Sequence, residues 1–144
     1  MTANIKRLLG VIVMMCTMSM VAHADKPSSK SDGVIEMLRE FYISYIKERS
    51  KATPNIEVTD RMLSKYCTGA LINRLNTFDW ATDPFLNSTK CEESWVKNLS
   101  VEKLAGDGNY RIGYRMRTGK EVNVELRVIH DGSKYRIHDL KMLP

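Results

Sequence analysis

Residues 110–140, YRIGYRMRTGKEVNVELRVIHDGSKYRIHDL, hold two alternating runs and two turn signals, and their reading decides the fold. Tyr110, Ile112, Tyr114 and Met116 fall on one side of a two-residue period, and Val122, Val124, Leu126 and Val128 do the same further on. The residues between them are mostly charged, so each run predicts a strand with one buried and one solvated face. Directly opposed residues share a face. The hairpin around Thr118-Gly119-Lys120 therefore needs an odd loop, which pairs Tyr114 with Val124, and the one at Asp131-Gly132 an even loop. A two-residue type I′ loop there pairs Val128 with Tyr135 and Leu126 with Ile137. Together with a first strand at 96–103, this predicts four antiparallel strands at 96–103, 110–117, 121–130 and 134–140.

Working back from the strands, Val34, Ile35, Leu38, Phe41, Tyr42, Tyr45 and Ile46 form one stripe on a 3.6-residue period. They predict a long amphipathic helix, capped by Ser31 or Asp32 and stopping near Lys51, ahead of Thr53-Pro54. A second helical stretch starts at Thr59 or Asp60 and runs through Met62, Leu63, Tyr66 and Cys67. Gly69 breaks it before Leu71, Ile72 and Leu75 resume the period, so two short helices are expected. Residues 76–93 read as a long loop carrying Phe78, Trp80, Phe85 and Leu86 around Asp83-Pro84. The order predicts one α+β domain over 33–144: a long N-terminal helix and short helices packed on a curved four-stranded antiparallel meander sheet.

The first residues have a different composition. Lys6 and Arg7 precede an apolar run at 8–21, and Ala22-His23-Ala24 supplies the small residues a signal peptidase accepts. The run is short for a membrane span, which needs about 20 residues. Residues 1–24 are thus expected to be a signal peptide cut after Ala24, leaving a periplasmic or secreted protein without a stable membrane anchor. Residues 25–32, DKPSSKSD, read as a disordered leader. The whole chain has 144 residues and net charge +5. Cleavage leaves 20 basic and 17 acidic residues, a net charge of +3, which disfavours nucleic acid as a partner. It also leaves two cysteines, Cys67 and Cys91, an even number in an oxidising compartment, and a disulfide between them is expected. A catalytic or metal-binding thiol is disfavoured by the lack of C-x-x-C spacing and of a neighbouring histidine.

The runs MLREFYISYI, KYCTGALINRL, DPFLNSTKCEESW and YRIHDL resemble a secreted bacterial family known as domain of unknown function 3828, across nearly all of the chain beyond the leader. The resemblance implies the cone-shaped helix-and-sheet fold of the nuclear-transport-factor-2-like (cystatin-like) superfamily. That superfamily contains enzymes, binders and interaction domains, so it implies no single activity.

Two constellations invite a functional reading. Phe41, Tyr42 and Tyr45 on the helix, Tyr110 and Tyr114 on the sheet, and Trp80 and Trp95 near the rim are the residues of a candidate ligand pocket, with core packing as the alternative. In the register above, Arg111 opposes Arg127 and Arg127 opposes Arg136, a candidate surface for an acidic partner unless nearby glutamates neutralise it. His130 and His138 form no dyad, no metal site or phosphate loop is discernible, and no cofactor is expected. The expected function is a non-enzymatic exported binding or interaction domain of the cell envelope, taking a small ligand or a protein partner. The alternatives are an immunity or inhibitor protein that neutralises an envelope-acting toxin or enzyme, and a small pocket enzyme.

Overall fold

The computed structural model describes residues 30–144, so the expected signal peptide, its cut after Ala24 and residues 25–29 of the leader lie outside the described residues. Three helices come first, α1 (Lys30–Arg49), α2 (Ile56–Tyr66) and α3 (Gly69–Thr77). A 3-10 turn at Glu93–Asn98 leads into β1 (Ser100–Lys103), β2 (Asn109–Arg115), β3 (Glu121–Asp131) and β4 (Lys134–Met142). The strands form one antiparallel sheet in the order β1-β2-β3-β4. The expected α+β meander is the observed fold. Among the described residues no helix is long and apolar enough to cross a membrane.

α1 starts at Lys30, inside the stretch read as a disordered leader, so Ser31 and Asp32 sit in its first turn and not ahead of it. Asp32 there suits the positive end of the helix dipole, and Lys47 and Arg49 suit the negative end. The stripe buries Val34, Leu38, Phe41, Tyr42, Tyr45 and Ile46 against the sheet. α2 starts earlier than expected because Asn55 caps it, its side chain accepting from the amides of Glu57 and Val58. The break before α3 lies at Cys67-Thr68, where the Thr68 amide donates to Ile137 O at 2.9 Å. Thr68 then caps α3, so Gly69 opens that helix and does not interrupt it. The first three residues of the first expected strand, 96–98, belong to the 3-10 turn, and only its last four, 100–103, pair.

Both hairpins keep the expected faces but shift register. Tyr114 lies opposite Val122, with Ile112 opposite Val124 and Tyr110 opposite Leu126. The loop is Arg117-Thr118-Gly119, closed by hydrogen bonds from Met116 N to Lys120 O and from Gly119 N to Met116 O, both 2.9 Å. A three-residue hairpin loop places its left-handed residue third, and Gly119, at φ 84°, takes that place. Centring the loop on Gly119, as the sequence reading did, moves every pair by two. In the second hairpin Asp131 pairs with Lys134, so Gly132-Ser133 is the loop and Val128 faces Ile137. A bulge at His138 then brings Arg127 opposite Asp139 and Leu126 opposite Leu140.

Candidate functional site

The aromatic residues assigned to a pocket fill the space between helix and sheet. Phe41 and Tyr42 are fully buried, and Tyr45, Trp95, Tyr110 and Tyr114 are each no more than 5% exposed. Trp95 stacks on Tyr114 with ring centroids 4.5 Å apart. These six residues are core. The tyrosine hydroxyls meet the protein's own backbone and carboxylates in the 78–92 loop. Tyr42 donates to Phe85 O at 3.0 Å, Tyr114 donates to Leu86 O, and Tyr45 donates to Asp83 Oδ2 at 2.8 Å. Polar groups that a core phenol must satisfy thus hold a long loop against α1 and the sheet.

Asp83 is the centre of that anchorage. Its Oδ1 accepts from the amides of Phe85 (3.0 Å) and Leu86 (3.3 Å), while Oδ2 takes the Tyr45 hydroxyl and Arg49 Nε (3.1 Å). Local capture of following amides is what an Asp before Pro in a turn does, so Asp83-Pro84 was a readable signal for this role. The expected Cys67–Cys91 disulfide would have tied this loop down instead.

Cys67 and Cys91 stand as free thiols in the structure, not joined by the expected bridge. Each sulfur has a different setting. Cys67 is buried where α2 ends and bridges to Ile137 of β4, beside the Arg136 charge. Cys91 Sγ donates to Ile46 O of α1 at 3.4 Å, near Asp83 and Arg49. Burial pushes both thiols up to about 12, more than offsetting the nearby guanidinium in each case.

Burial likewise pushes the phenols of Tyr42, Tyr45 and Tyr114 far up, and the Asp83 carboxylate adds to the effect at all three. Ionisation is thus easier in the unfolded chain, where thiols titrate near 8.5 and phenols near 10. The stabilisation from keeping these groups neutral is complete below about pH 8.5 and is lost as pH rises toward the folded values. The midpoint of urea unfolding should hold level to about pH 8.5 and then fall steadily to pH 11. In native protein at pH 8 both thiols should resist alkylation, whereas both should label in urea without reductant. A midpoint that stays level to pH 11 would contradict the burial of these groups.

The arginine row is not formed. Arg111, Arg127 and Arg136 share the outer face, but their cross-strand neighbours are Glu102 with Glu125, Asn109 with Asp139, and Ile129. Arg111 pairs with Glu125 at 3.0 Å. Arg136 lies 3.3 Å from Asp131 and donates to Ser64 O (2.8 Å) and Cys67 O (3.3 Å) at the negative end of α2. Arg115–Glu121 and Arg74–Asp139 add two more pairs, so charges of both signs alternate over the face. The two-residue register shift undoes the row. Arg127→Thr should accordingly change stability by less than about 0.5 kcal/mol, because Arg127 is exposed and relieves no repulsion when removed. A loss above about 1 kcal/mol in urea unfolding would place Arg127 in a structural ion-pair network.

Of the residues assigned to a pocket, Trp80 alone lies outside the core. It borders a surface groove of about 460 Å³ between α1, α2, α3 and residues 80–89. Leu63 and Leu75 face it from the two short helices, Tyr45 and Arg49 from α1, and Asp83 from the loop. Trp80 Nε1 donates to Leu75 O at 3.1 Å, which fixes the indole as a wall, and exposed Phe78 packs edge-on against it at 6.0 Å. Leu63, Leu75 and Arg49 were missed as site residues. Their helical spacing marks them only as parts of helix faces, and the groove exists through the loop's placement.

These elements define a small α+β domain, an open antiparallel meander covered on one face by helices and grooved where they meet the 80–89 segment. A solved structure of a protein of unknown function from Bacteroides thetaiotaomicron VPI-5482 shares the fold with a TM-score of 0.66. It is 24% identical, and the match covers 76% of this chain and 88% of that one. No protein-family model matches, and neither does any curated protein at a significant level.

Proposed function

We propose that the protein is an exported, non-enzymatic binding domain of the bacterial cell envelope that holds a small ligand in the groove beside Trp80. The observation carrying this reading is the groove itself. Its volume lies in the range of small-molecule sites, it has an aromatic and aliphatic wall, and it sits on a scaffold whose interior is filled. The kinship to domain of unknown function 3828 belongs to the same proposal. In its support, the landmark runs are the ones that build the packed helix α1, the α2–α3 junction, the anchored loop and β4.

The test expresses residues 1–144 in a Gram-negative host, isolates the periplasmic fraction and measures the intact mass. Small molecules released on denaturation are then identified by mass spectrometry, beside a Leu75→Arg variant that obstructs the groove. A mature chain starting at Asp25, with a compound present in the wild type and depleted in the variant, is the expected result. Full-length protein held in the cytoplasm would overturn export, and no wild-type compound absent from the variant would overturn the groove as the site.

A further inference from the structure

The groove contains two charged residues, Arg49 and Asp83, and they differ in what they have left to offer. The Asp83 side chain is only 7% exposed and accepts four hydrogen bonds, from Tyr45, Arg49, Phe85 and Leu86. No acceptor remains there for a cationic or hydroxyl-rich ligand. Arg49 is 40% exposed and meets Asp83 through Nε alone. Among the described residues neither of its Nη atoms makes a hydrogen bond, and these two form the half of the guanidinium fork that fits a carboxylate. Beside it Leu63, Leu75 and Trp80 supply apolar wall, with exposed Phe78 extending the rim.

We propose that this groove binds an amphipathic carboxylate, its apolar body lying along Leu63, Leu75 and Trp80 and its carboxylate held by the Nη atoms of Arg49. This names the ligand class for the site put forward under Proposed function and rests on that reading. Charge and shape point to the same class of ligand. The free donors are cationic and forked, the wall is apolar, and the carboxylate already present is saturated, so an anion with a greasy body is the complement.

Decanoate and its uncharged counterpart decanol are the probes, titrated into the mature chain by calorimetry and by indole fluorescence. The chain has two tryptophans, and Trp95 is buried at 2% exposure, so a ligand-dependent change reports Trp80. Decanoate should bind at least about tenfold more tightly than decanol, in keeping with a charge-assisted pair. Arg49→Gln should remove that preference, and Arg49→Lys should retain part of it. If Arg49→Gln fails to fold, the wild-type ratio decides the matter alone. Equal binding of the two probes would overturn the carboxylate assignment and leave the groove as a binding site. Binding of neither, while a compound of another class is depleted from Leu75→Arg, would likewise overturn the assignment but not the broader reading.

Discussion

Phe41→Ala should destabilise the protein by about 3–5 kcal/mol, the range for deleting a fully buried ring from a close-packed core. Phe41 has no exposed surface, and its ring meets Tyr42, Tyr45 and Tyr66 at centroid distances of 5.3 Å and Phe85 at 5.1 Å. The cavity would open among side chains that have other tasks. Tyr42 and Tyr45 hold the 83–86 turn through their hydroxyls, and Phe85 belongs to that turn. Loss of the ring therefore loosens two anchors of the loop as well as the apolar contacts, which argues for the upper part of the range. Phe41→Leu keeps most of the volume and should cost under about 1.5 kcal/mol. Urea unfolding followed by circular dichroism measures both. A Phe41→Ala loss below about 1 kcal/mol would mean that the ring lines an open space, as the pocket reading of the sequence had it.

The core was legible because its signals are local and periodic. Tyr110, Ile112, Tyr114, Val122, Val124, Leu126 and Val128 are all buried, and two-residue alternation alone identified that face. The α1 stripe was legible for the same reason with a different period. Register was not, since it depends on where in a loop Gly119 sits and on a bulge at His138, neither of which alters the alternation on β3. A shift of two preserves every face, so the buried residues were right while the cross-strand charges were wrong, and the arginine row fell with them. The purpose of the aromatic residues was half legible. Their burial followed from spacing, but their hydroxyls bond to a loop 28 to 43 residues away in sequence, a relation no periodicity carries. The groove was hidden for the same reason. Leu63 and Leu75 come from different helices, and Arg49 becomes notable only once Asp83 has taken its Nε.

Gly108→Ala should cost about 2–5 kcal/mol, from two penalties that a comparison can separate. The first is the backbone, since Gly108 has φ 73°, a conformation that burdens an L side chain by about 1–2 kcal/mol. The second is contact with β3. Val128 N donates to Gly108 O at 2.7 Å, which adds a rung to the β2–β3 ladder beyond Asn109 and Arg127. That approach leaves no room for a methyl group, because a Cβ on Gly108 would lie 2.3 Å from the carbonyl oxygen of Val128. The obstacle is main chain in a central strand, so no rotamer change relieves it, and the turn must withdraw or the rung must break. Gly119→Ala is the matched control. It has φ 84° but nothing within 4 Å of its Cβ position, so it should show the backbone penalty alone. In urea unfolding the Gly108 variant should lose at least about 1 kcal/mol more than the Gly119 variant, the lower bound for forcing extra volume into packed structure. Equal losses would mean that the turn before β2 does not dock on Val128, and the β2–β3 register, which sets Glu125 rather than Arg127 opposite Arg111, would have to be redrawn.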